Sequence, residues 1–126
     1  MNAGKAVFRL LMDSLELSLI VGDKVYPSAM ADDRVYPAIV YAVDTSGIQT
    51  KDVTTIFEAR VKIDIYSHNA DEAHRAAILV YHALNRFEGI ANDVNVKWLS
   101  LESESEGFEE VQNLFVVSHD YKIITV

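Results

Sequence analysis

The clearest pattern in the chain is a strict alternation. Phe57, Ala59, Val61, Ile63 and Ile65 are interleaved with Glu58, Arg60, Lys62, Asp64 and Tyr66. Successive side chains of a β-strand point to opposite faces, so a period of two predicts a strand with one face on a core and the other on water or a partner. The outward residues carry charges of both signs, which suits pairing across neighbouring strands. Two stretches show the helical period instead. Over residues 5–19, Phe8, Leu11, Met12, Leu15 and Leu19 recur at steps of three and four and predict one amphipathic helix, with Gly22 as its stop. A second helix is expected to open at Asn69, whose side chain suits the first-turn amides, with Glu72 three residues on as in a capping box. Its apolar stripe is Ala73, Ala76, Ala77, Val80, Tyr81, Leu84 and Phe87, and Gly89 is expected to end it.

The intervening segments read as strands and turns. Residues 24–26 form a short extended piece closed by Pro27, residues 28–34 a polar loop, and residues 36–43 a strand with Pro37 at its start or on an edge. Residues 44–52 are polar, contain Gly47 and have no period, as in a long hairpin connection or flexible arm. Val94, Val96 and Trp98 alternate, but the apolar phase slips at Leu99 and Leu101, which predicts a bulge. Residues 103–110 read as an acidic turn, and residues 114–126 as a last strand with Phe115, Val117, Tyr121 and Ile123 inward. The fold class expected is α+β. It is a mainly antiparallel, four- to five-stranded sheet with two helices packed on one face, in the order α-β-β-β-α-β-β, within a single domain spanning residues 1–126.

Composition narrows the function. At 126 residues and 50% hydrophobic content the chain can build a core without staples. It has no cysteine, which removes disulfides, thiol nucleophiles and cysteine-based zinc sites. No apolar stretch approaches the ~20 residues of a membrane span, and Arg9 and Asp13 break any signal-peptide core, so a soluble, untargeted protein is expected. The net charge of −8 comes from 19 acidic and 11 basic residues, the latter scattered singly. Such a surface does not suit gripping phosphates; it suits a wall that DNA passes without sticking.

Catalytic chemistry finds little support. The nucleotide-binding, zinc-protease and serine-hydrolase motifs are missing. His74 and His82 lie eight residues apart on one helix, about 12 Å along its axis and too far to share a metal. A site from His68, Asp71 and His119 is the remaining metal alternative, against hydrogen-bonded or solvent-facing histidines. Glu102, Glu104, Glu106, Glu109 and Glu110 lack the pattern of a calcium loop and read as a solvated turn or a docking surface for a basic partner. Ser118 and His119 are adjacent on a strand and point to opposite faces, so they cannot form a hydrolytic pair. No enzyme, metal or cofactor is expected. Tyr26, Tyr36, Tyr41 and Tyr66 suit strand edges or subunit interfaces.

Four pieces of the chain together resemble the tail-completion, or tail-terminator, family of long-tailed bacteriophages, also called tail-to-head joining proteins. An opening helix over residues 7–20 leads into Val25-Tyr26-Pro27. Tyr36-Pro37-Ala38-Ile39-Val40-Tyr41 looks like the family's proline-led strand, and Arg60-Val61-Lys62-Ile63-Asp64-Ile65-Tyr66 like its central V-x-I-D-V-Y strand, with Lys62 where the family usually has Gln. Ala70-Asp71-Glu72-Ala73 then resembles its x-x-E-A helix start. The resemblance implies a virion protein at the head–tail junction. It implies a ring, typically of six subunits, that sits on the tail-tube protein, stops its growth and meets the head connector, with DNA passing through the lumen. A head-to-tail connector or neck protein, and a small ligand-binding α+β module, are the alternatives. Unpaired sheet edges invite contacts between copies, and the candidate subunit interface comprises Tyr36, Tyr41, Asp44, Gly47, Asp52, Glu58, Arg60, Lys62 and Asp64.

Overall fold

The computed structural model describes residues 3–28, 35–45 and 56–126. Among them, three helices and six strands follow in the order α1 (Ala3–Met12), α2 (Leu15–Val21), β1 (Val25–Pro27), β2 (Ala38–Asp44), β3 (Phe57–Ser67), α3 (Ala70–Leu84), β4 (Gly89–Ala91), β5 (Val94–Glu109) and β6 (Leu114–Thr125). The strands form one sheet in the order β1-β2-β3-β6-β5-β4. All neighbours are antiparallel except β1 and β2, which run parallel with Val25 beside Ile39.

Period two in β3 sets the layering. Ala59, Val61, Ile63 and Ile65 are buried under the helices, and on β6 Val117, Tyr121 and Ile123 share that face. Each such valine or isoleucine taken out of water contributes roughly 1.5–3 kcal/mol. Ala73, Ala76, Ala77, Val80 and Leu84 form the buried stripe of α3, while Ala3, Val7 and Leu11 bring α1 onto the same side. The start of α3 is tied as its sequence suggests, with Asn69 Oδ1 accepting from the Glu72 N–H at 3.0 Å. The return half of the capping box is replaced by a relay. The Asn69 N–H donates to Ser67 Oγ, whose hydroxyl donates to Glu72 Oε1 at 2.7 Å.

Four expectations are corrected. The first helix is two helices, because Ser14 takes an extended conformation and its hydroxyl accepts from the Leu17 N–H, starting a new helix. This restart changes the phase. Leu17 and Val21 are buried, whereas Leu15 and Leu19 stand 81% and 87% exposed. Gly22 does end α2, at φ 61° with its N–H on Ser18 O. Helix α3 stops at Leu84, before Gly89, and the chain turns through Arg86 at φ 65° into β4, which the sequence pattern had not revealed. The sheet therefore has six strands, not four or five. Residues 103–109 are strand and not turn; only the four residues between β5 and β6 make the connection. The anticipated bulge is real and double, with register shifts between Val96 and Trp98 and between Leu101 and Ser103. Consequently Leu99 faces the core and Trp98 the other side.

Candidate assembly interface

Helices cover one face of the sheet; among the described residues none packs on the other. That outer face is centred on β3. Arg60 and Lys62 are exposed, Glu58 and Asp64 half-buried. The register explains why the charges coexist. Arg60 stands between Asp44 of β2 and Lys122 of β6, and Lys62 stands opposite Asp120. The Lys122 ammonium reaches Glu58 Oε1 at 2.9 Å, and the Ser118 hydroxyl donates to Asp64 Oδ1 at 2.6 Å. An ion pair this exposed is worth about 0.2–1 kcal/mol and sets register more than stability.

The other interface candidates divide. Tyr36 tilts against Tyr66, ring centres 5.8 Å apart, and edge-on to His68 at 6.0 Å, so it borders the outer face near Ala38. Tyr41 lies on the helix side instead, with its ring 6.2 Å from that of Phe8, and burial pushes its phenol pKa up. Gly47 and Asp52, with most of the connection expected over residues 44–52, lie outside the described residues. So do residues 29–34 of the loop read after Pro27.

A second feature was not anticipated. Beyond the core, β5 and β6 continue as a two-stranded arm; His119 ties its two strands together, and His74 fastens it to α3. His119 is buried and bonds both ways: Nε2 to Glu104 Oε2 at 2.6 Å and Nδ1 to Tyr121 Oη at 2.9 Å. The Nε2–H donates to the carboxylate, and the tyrosine hydroxyl donates to Nδ1. Burial, then the charge of Glu104, raises the Tyr121 pKa, so its phenol keeps its proton. On α3, His74 meets Glu106 at 2.5 Å and Ala70 O at 2.8 Å, and the hydrogen bond that its Nε2–H donates to Glu106 raises the His74 pKa. The signal lay in the alternation Ser103-Glu104-Ser105-Glu106, which puts both carboxylates on one face of a strand.

Among the described residues, the serine and histidine sets weighed for catalysis or a metal are not brought together. Ser118 is bonded to Asp64 on the face away from His119, and His68 Nδ1 lies 3.1 Å from Asn113 O. Among the described residues no three His, Cys, Asp or Glu side chains are placed to hold one ion. Nor, among them, is any helix long and apolar enough to cross a membrane.

Comparison with known proteins agrees with this architecture. Residues 5–126 match the family described as Tail completion protein gp17. No curated protein sequence matches. A chain in the solved structure of the virion of native gene transfer agent (GTA) particle superposes with a TM-score of 0.80 at 16% identity, covering 98% of this chain and 96% of that one. At that identity the likeness speaks for the fold.

Proposed function

The chain belongs to the tail completion protein gp17 family, structural proteins of the phage tail and its virion, and on that premise we propose that it closes the tail tube as a ring. In this reading copies join head to tail into a cyclic homo-oligomer, most simply a hexamer, on the last ring of tail-tube protein. The ring stops tube growth, and its other surface receives the head connector or neck protein. It needs no cofactor and no catalytic group. The observation that carries the reading is the helix-free outer face of β3, where Glu58, Arg60, Lys62 and Asp64 present both signs of charge in fixed register. Charge patterning of this kind selects partner and register more than it adds affinity. Tyr36 and Asp44 border that face, and Gly47 and Asp52 belong to the connection that continues from it. The net charge of −8 suits a lumen that repels the phosphates of passing DNA.

The test uses tail tubes. Arg60→Glu with Lys62→Glu replaces two exposed side chains, so the monomer should fold, while tubes should polymerise past their normal length. Normal tails with this variant would place the contact elsewhere on the molecule. Tails of normal length and normal head joining in the complete absence of the protein would refute tube termination itself.

A further inference from the structure

The β5–β6 arm ends in an apolar tip. The rings of Phe108 and Phe115 meet edge to face, 4.9 Å between centres, and Val111 at the turn is 90% exposed. The tip is ordered. The Glu109 carboxylate accepts from the N–H groups of Val111 and Gln112 at 3.0 and 2.8 Å, the His119–Glu104 contact ties the two strands of the arm together, and the His74–Glu106 contact braces the arm against α3. Glu109 and Glu110 make the tip acidic as well as apolar.

At the core end of the same hairpin lies a groove of about 610 Å³, between residues 97–101 and the segment leaving α3. Tyr81, Phe87 and Trp98 give it aromatic walls, and its charged residues are Arg86 and Lys97 with the single acid Glu88. Trp98 is 54% exposed there because the bulge at Lys97 turns it away from the core. The segment leaving α3 is itself fixed, since the Arg86 N–H donates to Leu99 O and Asn85 Oδ1 accepts from the Leu101 N–H. Open aromatic pockets with an arginine at hand are the usual seats of interface anchors.

We propose that the tip of the arm seats in the Trp98 groove of a second copy of this chain. Shape and charge pair the two surfaces: apolar with aromatic, two glutamates with an arginine and a lysine. The chain cannot satisfy itself, because Leu101 and Phe108 are separated by seven residues of strand, roughly 23 Å. Two different patches meeting head to tail generate a ring when the rotation closes. The choice of a second copy as occupant rests on the ring reading above; the pairing of tip with groove rests on the surfaces.

The chain has no cysteine, so introduced thiols report without background. Chains carrying Val111→Cys and chains carrying Glu88→Cys are mixed on tail tubes and oxidised. The expected product is the mixed dimer, at least tenfold over either like pair, and the doubly substituted chain should give a covalent ladder ending at the size of the ring. Tubes capped at normal length without the mixed cross-link would overturn the tip-in-groove contact and leave the ring standing. Tubes left uncapped by the unsubstituted protein, again with no cross-link, would overturn both. Independently, Val111→Asp changes an exposed residue; with the monomer's thermal midpoint unchanged, ring assembly should weaken tenfold or more. Unchanged assembly would also overturn the contact.

Discussion

Where β5 and β6 cross the core, Val96, Leu99 and Leu101 lie beside Thr125, Ile123 and Tyr121, sheltered by the helices. Where the same two strands run past it, that face carries Glu104 and Glu106 beside His119 and Val117. The backbone ladder is continuous through both ends. What changes is its support: removal of apolar surface from water at one end, two histidine–carboxylate contacts at the other. Burial acts regardless of pH and salt, whereas the contact of the arm with α3 depends on the protonation of His74. The hairpin is thus a rigid root with an extension whose hold is conditional.

The comparison is broken most severely at the root. Ile123→Ala empties a fully buried position and should cost about 2–5 kcal/mol, read from denaturant midpoints, and Ile63→Ala on β3 should cost a similar amount. A loss below about 1 kcal/mol would show that the root is not held by packing. Next comes the junction. His119→Leu keeps the volume apolar but leaves the buried Tyr121 hydroxyl without its acceptor, for roughly 1–3 kcal/mol. The accompanying change should appear as faster amide exchange over residues 103–109, with the root unaffected.

The smallest effect belongs to the exposed contact. Glu106 raises the His74 pKa above 6.5, so its contribution is full below that value and is lost as pH rises through the higher pKa of the folded chain. Arm amides, corrected for intrinsic exchange rates, should therefore be better protected at pH 6 than at pH 8. The other ionisable groups near His74 are Asp71 on its own helix, together with Glu104, His119 and Tyr81, which line the same small cavity. His74→Gln should flatten the difference; a dependence that survives this substitution belongs to one of those neighbours.

These contrasts also explain what the sequence could disclose. The alternation in β3 predicts its faces because a strand with one buried side admits no slip. The phase slip at Leu99 similarly announces a bulge. The stretch from Ser103 to Gly107 keeps the period of two, yet its small and acidic residues are what turns are made of. Its ladder with residues 116–120 of β6 makes it a strand, and the facing histidines at 74 and 119 hold its carboxylates. The leucines of the first helices mislead for a local reason. Leu11, Leu15 and Leu19 keep helical spacing, but Ser14 interrupts the helix between the first two and redirects the second pair to solvent. For the interface, the outer charges of β3 follow from periodicity, whereas the Trp98 groove needs the bulge, the end of α3 and β4 together.

The two bulges of β5 act like a pair of frameshifts. The first, around Lys97, inverts which residues face the core; the second, around Glu102, restores the original frame. Inside this short window odd-numbered residues point inward, and outside it even-numbered ones do. Straightening one bulge with its extra residue kept would set the downstream strand out of frame, exchanging Glu104 and Glu106 for the serines beside them. Straightening both in this way would keep the arm in frame but turn Trp98 inward and the two leucines outward. Lys97 and Glu102 are therefore the two residues whose deletion would leave every other side chain on its present face, the surface indole of Trp98 included.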